Sequence, residues 1–158
     1  MPDKYCFDAN AFIEPWTKYY SPELVPGYWR KIDQLAQAGR IICPTEVYNE
    51  ITNCDDGLAR WIKDRKDLIV RPSTDVLLQN KVREILRLFP KVIKVQKSKS
   101  MADPWVVAQA IVDGAIVVTK EIHGANTDIK IPNVCDHFNV KYINDYAFAL
   151  RENVFNRI

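Results

Sequence analysis

Apolar and polar positions are grouped along this chain in two different rhythms. Tyr5-Cys6-Phe7, Ile41-Ile42-Cys43 and Ala115-Ile116-Val117-Val118 are short, unbroken apolar runs, the pattern of strands buried on both faces. Between them the rhythm is helical. Apolar residues at 28, 29, 32, 35 and 36 follow Pro26, and Gly39 ends the segment. Pro44-Thr45 opens a helix through Val47, Tyr48 and Ile51, and Asp56-Gly57 separates it from a charged helix around Leu58, Trp61 and Ile62. Leu68-Ile69-Val70 reads as a short strand or an extended link. Ser73-Thr74-Asp75 starts a helix that Pro90 ends, Asp103-Pro104 starts a strongly apolar one closed by Asp113-Gly114, and a short helix is predicted from Pro132 to Phe138. Val140 to Ile143 reads as a last strand and Asp145 to Phe155 as a terminal helix. Strands alternating with helices predict an α/β protein: three layers, α/β/α, around a mostly parallel sheet of about four to five strands. The order of the strands is not readable from the pattern.

Composition narrows the class. At 158 residues the chain fits one domain over 1–158, with 47% hydrophobic and 27% charged residues as in an ordinary soluble globular protein. The net charge of +2 is too balanced to announce a nucleic-acid binder by itself. Cys6, Cys43, Cys54 and Cys135 form no CxxC pair, which suits reduced thiols and a cytoplasmic protein better than a disulfide or zinc framework. The longest apolar stretch, Trp105 to Val118, is interrupted by Gln109 and Asp113, so no membrane segment is expected.

The candidate chemistry lies in acids. Asp8 follows the first apolar run, where open α/β sheets bind their ligands, although Asp8-Ala9-Asn10 reads equally well as a turn. In PTEVYNEI, Glu46 stands near a helix start, where the helix dipole alone favours a carboxylate. Glu50 stands at the rim of the apolar stripe with no capping task, which makes it the preferred site acid of the two. Asp103 before Pro104 has the pattern of an N-cap, and a capping carboxylate keeps acceptor positions for a cation. Glu121 follows the best strand, and Thr119 is placed to hydrogen-bond a neighbouring carboxylate. Brought to one sheet edge, these acids would have to be protonated or share a cation, for which a hard divalent ion with oxygen ligands is the natural choice.

Four motifs in order, YCFDANAFIEP, PTEVYNEI, MADPWVVAQA and VVTKE, resemble a PIN domain, the metal-dependent nuclease fold of many toxin–antitoxin ribonucleases. EVYNEI, ADPWVVAQA, VVTKE and KIPNVCDHF together look like a PIN-like subgroup with little characterised function. The resemblance implies that Asp8, Glu50 and Asp103 bind the metal and that Glu121 is the fourth acid, where the family more often has Asp. Asn10 and Thr119 would support them, and Glu46 competes with Glu50. It implies a Mg2+- or Mn2+-dependent endoribonuclease acting on RNA, a small antitoxin covering the acidic edge, and a homodimer for which an exposed Trp29 or Trp61 would serve. KVIKVQKSKS, with Lys91, Lys94, Lys97 and Lys99, is the strip expected to meet phosphates, or else a solvated loop. Trp16, Tyr19 and Tyr20 either stack bases or pack internally. His123 is a weaker phosphate candidate, and Cys135 and His137 have no metal-ligand spacing. The alternative is a catalytically inactive PIN-like module that binds RNA or a protein.

Overall fold

The computed structural model describes residues 2–92 and 102–155. Five strands, β1 (Tyr5–Phe7), β2 (Ile41–Pro44), β3 (Val70–Arg71), β4 (Ile116–Val118) and β5 (Tyr142–Ile143), form an all-parallel sheet in the order β3-β2-β1-β4-β5. Parallel neighbours need crossovers, and helices supply them. These are α1 (Ala9–Glu14), α2 (Pro26–Gln37), α3 (Thr45–Thr52), α4 (Gly57–Asp64), α5 (Lys66–Ile69), α6 (Val76–Leu88), α7 (Asp103–Asp113), α8 (Ile131–His137) and α9 (Asp145–Arg151). The predicted fold class therefore holds.

The topology decides where a site can form. From β1 the chain adds β2 and β3 on one side, then returns to place β4 and β5 on the other. The reversal falls between β1 and β4, and a crevice opens there outside the carboxyl ends of the strands. Helix α7 packs across β1, β2 and β4. Its C-terminus turns through Gly114, with φ of 64°, directly into β4, so its N-terminus stands at the carboxyl edge.

The centre of the core is aromatic. Phe148 of α9 meets Tyr5 and Phe7 edge-on, at ring-centroid distances of 4.9 and 5.2 Å, and Phe7 stacks on Phe12 at 4.6 Å. All four are fully buried. Truncating Phe148 removes the partner of both β1 rings, so Phe148→Ala is expected to cost about 3–5 kcal/mol. Urea unfolding measures this, and a cost under about 1 kcal/mol would show that α9 is not part of the cooperative core.

Several local expectations are corrected. Residues 9–19 are helical, as α1 and a π-helical continuation over Pro15–Tyr19, because Asp8 caps α1 while Ala9, Ala11 and Phe12 bury one face. Asp103 is not an N-cap. That position is Ala102, and Asp103 and Pro104 are the first two residues of α7, where neither needs its backbone N–H for the helix. Residues 68 and 69 end α5, and the strand begins at Val70. The terminal helix stops at Arg151, and Asn153, with φ of 53°, turns the chain beyond it. Trp29 is buried, and Trp61 is half-buried against Phe12, Trp16 and Trp29, so the indoles proposed for a dimer surface are packed inward.

Candidate active site

Asp8 is the first residue beyond β1, and its backbone N–H donates to Val118 O at 2.9 Å, tying the ends of β1 and β4 together. Its carboxylate is held at both oxygens. Oδ1 accepts from the N–H of Ala9 at 2.8 Å, and Oδ2 accepts from the Thr119 hydroxyl at 3.1 Å. The Thr119 oxygen in turn accepts from the Glu121 N–H at 3.1 Å. Asp8 is thus both a helix cap and a member of a buried polar chain.

The other acids reach the same edge from other elements. Asp103 is the first residue of α7, Glu50 lies in α3 after β2, and Glu121 lies beyond β4. They feel one another's charge. Burial, then Glu121, pushes the Asp8 carboxyl up to about 7; the hydrogen bonds from Thr119 and Ala9 oppose this and Glu50 adds to it. Burial, then Glu121, Asp8 and Glu50, pushes the Asp103 carboxyl up to about 9, with Lys130 pulling it back. Glu46 is not among the main causes of either shift. Its Oε1 is buried without a hydrogen-bond partner among the described residues, and burial raises its carboxyl. The set is all oxygen, which suits a hard divalent cation in kind. In spacing it is looser: among the described residues no group of three or more His, Cys, Asp or Glu side chains stands ready to hold a metal ion.

Glu121 has a structural task as well. Its Oε1 accepts from the N–H of Ile131 at 2.9 Å, at the start of α8, so the loop from 121 to 131 is closed by the same carboxylate that faces the acids. Asn133 closes it again, Oδ1 accepting from the N–H groups of Gly124 and Lys130 and Nδ2 donating to Gly124 O. Gly124 makes this possible. A Cβ there would lie 1.9 Å from the backbone oxygen of Asp128. Gly124→Ala is therefore expected to open the loop and free Glu121, lowering the thermal midpoint by several degrees. An unchanged midpoint and amide-exchange pattern would show that the loop tolerates the methyl group.

The remaining candidates divide. Asn10 is exposed in the first turn of α1. Tyr19 donates its hydroxyl to Asp145 Oδ2 at 2.6 Å, while Trp16 and Tyr20 sit in an aromatic cluster with Trp29 and Tyr28, which favours packing over stacking. His123 pairs with Asp136 at 3.2 Å, and His137 packs edge-on against Phe89 and Phe138. Cys6, Cys43 and Cys135 are buried free thiols and Cys54 is an exposed one. Lys91 lies in a 3-10 turn over Pro90–Val92; Lys94, Lys97 and Lys99 lie outside the described residues. Sequence reasoning missed Lys130, Asn133 and the buried Asp145, which accepts from Lys120 Nζ at 2.8 Å. Only Asn133, just inside the helix start Lys130-Ile131-Pro132, carried a signal that local reading might have used.

Two solved structures are similar in fold. One is VapBC-1 from nontypeable Haemophilus influenzae, with a TM-score of 0.57 at 12% identity, covering 90% of this chain and 98% of that one. The other is VapBC2 from Rickettsia felis, solved bound to a DNA fragment from its promoter, with a TM-score of 0.53 at 14% identity, covering 89% of this chain and 97% of that one. These likenesses support a PIN-like fold. No curated protein matches the sequence. Residues 5–156, from β1 through the turn after α9, match the model of DUF4411, a domain of unknown function, and the chain belongs to that family.

Proposed function

We propose that this protein is a Mg2+- or Mn2+-dependent endoribonuclease that hydrolyses RNA phosphodiester bonds, with Asp8, Glu50, Asp103 and Glu121 as its acids. The supporting observation is that Asp8 and Asp103 are both buried at the crevice between β1 and β4, where burial first, and the charges of Glu121 and Glu50 after it, raise both carboxyls. Acids that disfavour one another's charge in a buried place gain most from a shared cation. Bound there, a divalent ion supplies Lewis-acid stabilisation and a nucleophilic water for in-line displacement at phosphorus.

The chain's own groups do the positioning. Ala9 N–H and the Thr119 hydroxyl fix the two oxygens of Asp8, and the Ile131 N–H tethers Glu121. Glu50 is the second acid of choice because its charge is among the main causes that raise both aspartates. Lys94, Lys97 and Lys99, which precede Asp103 in the chain, would meet phosphates that the acids alone would repel. Similarity to VapBC-1 and VapBC2 adds the proposal that a small antitoxin covers this edge.

Cleavage of a defined single-stranded RNA with Mg2+, with Mn2+ and with chelator tests the reading. Cutting in the first two alone, lost in Asp103→Asn, is the expected result. Undiminished cutting by the variant would place the chemistry elsewhere. A second reading, a PIN-like module that only binds RNA or protein, is favoured by the Glu121 tether and by the loose acid spacing. It predicts binding without cutting in every metal.

A further inference from the structure

Beside the acids runs a second concavity. A half-open groove of about 450 Å³ lies beyond the carboxyl ends of β4 and β5, with residues 119–123 as one wall and Tyr142, Ile143 and Asn144 on the other. It shares Thr119 and Glu121 with the acidic edge, so whatever lies in it is adjacent to whatever Asp8 and its partners hold. Its size is within the range of small-ligand sites.

The basic side chains on its walls already have acidic partners. The Lys120 ammonium sits on Asp145 Oδ1 at 2.8 Å, with the Tyr19 hydroxyl on the other oxygen. The His123 ring faces Asp136 at 3.2 Å. A phosphate therefore finds no surplus positive charge there, and Glu121 opposes it. Apart from Glu121, what the groove presents is neutral: the half-buried Tyr142 and Ile143, the Asn144 amide, and Ile122, whose side chain is left 82% exposed at the rim. Asn144 Oδ1 is committed to the N–H of Ala147, so the amide offers Nδ2 donors. Apolar faces with a few hydrogen-bonding groups suit a flat, uncharged, polar-edged group.

We propose that this groove receives one nucleobase of the RNA, the base adjoining the phosphate placed at the acids. The inference rests on the endoribonuclease reading and deepens it: the β4–β5 edge would set a base preference on one side of the cut, with Tyr142 as the stacking surface and Ile122 as an apolar contact.

The test maps cleavage sites on a random-sequence RNA pool for the wild type and for Ile122→Ser, a substitution at an exposed position that leaves the core intact. The wild type should show a base preference at one nucleotide next to the cut. In Ile122→Ser that preference should relax and KM rise several-fold, as for loss of one apolar contact, with kcat and metal requirement unchanged. An unchanged preference and KM would overturn the proposal. A second arm keeps it decidable if the wild type cuts nothing, which would sink the nuclease reading instead. An oligoribonucleotide carrying 4-thiouridine is photocrosslinked to the intact protein and the attached peptide identified. Attachment within 119–123 or at Tyr142 supports the groove; attachment elsewhere, or none, rejects it.

Discussion

Asp8→Asn is expected to lower RNA cleavage by at least about 10²- to 10³-fold, the usual cost of removing one preorganised charged group from a catalytic site. The variant separates chemistry from folding. Asparagine serves as an N-cap about as well as aspartate, so the bond from the Ala9 N–H survives, and the amide still offers a partner to the Thr119 hydroxyl. Removing the charge also relieves Asp103 of one of its repulsions. The metal-free variant should therefore be as stable as the wild type or more so, while cutting is lost. Single-turnover cleavage and thermal unfolding, run on the same preparation, measure both. Full activity in a correctly folded Asp8→Asn protein would remove Asp8 from the reaction.

Metal-free wild-type protein should lose stability as pH rises, the opposite of the trend for carboxylates that are salt-bridged in the folded state. Asp8 titrates near 7 and Asp103 near 9 in the folded chain, both above their ordinary values near 4. The folded state consequently holds protons that the unfolded chain has released. Stability from these two groups is fully present below about pH 4 and falls as pH rises, through 7 for Asp8 and on to 9 for Asp103. Taken separately the two shifts amount to on the order of 10 kcal/mol, and because each includes the other's charge the realised loss is smaller, a fall in Tm of at least about 10 °C across that range. Thermal melts at a series of pH values measure it, with Asp103→Asn flattening the upper part of the curve. Saturating Mg2+ should flatten the whole of it, because a cation replaces the protons. A metal-free Tm that rises steadily from pH 4 to 9 would contradict raised carboxyls at Asp8 and Asp103.

These two results depend on parts of the molecule that differ in how plainly the sequence announces them. Asp8 and Glu121 follow apolar runs short enough to be strands, so their places beyond strand ends were legible. So was Thr119 as a partner for a carboxylate. That β1 and β4 are neighbours was not, because strand order depends on which helix covers which face, and the apolar runs of parallel strands look alike. Without that adjacency, Thr119 cannot be matched with Asp8 in particular. Asp103 was legible as the start of a helix but misplaced by one position, since proline is accepted at either of the first two helical residues. Glu46 and Glu50 share one helix, and helical phase alone left them as competitors. Only Glu50 is among the main causes of the Asp8 and Asp103 shifts, which is a matter of three-dimensional placement that helical phase does not carry. Least legible was the Tyr19–Lys120–Asp145 cluster, in which three residues far apart in sequence meet around one buried carboxylate. Nothing local marks such a meeting.

The central claim is that the four acids share a divalent cation and hold protons in its absence. Calorimetric titration of the metal-free protein with Mn2+ at pH 7, repeated in two buffers of different ionisation enthalpy, tests it most directly. Saturable binding is expected, with net proton release as the Asp8 and Asp103 carboxyls ionise around the metal, and both signals should vanish in Asp8→Asn. Absence of saturable binding, or binding that releases no protons and persists in Asp8→Asn, would contradict the account.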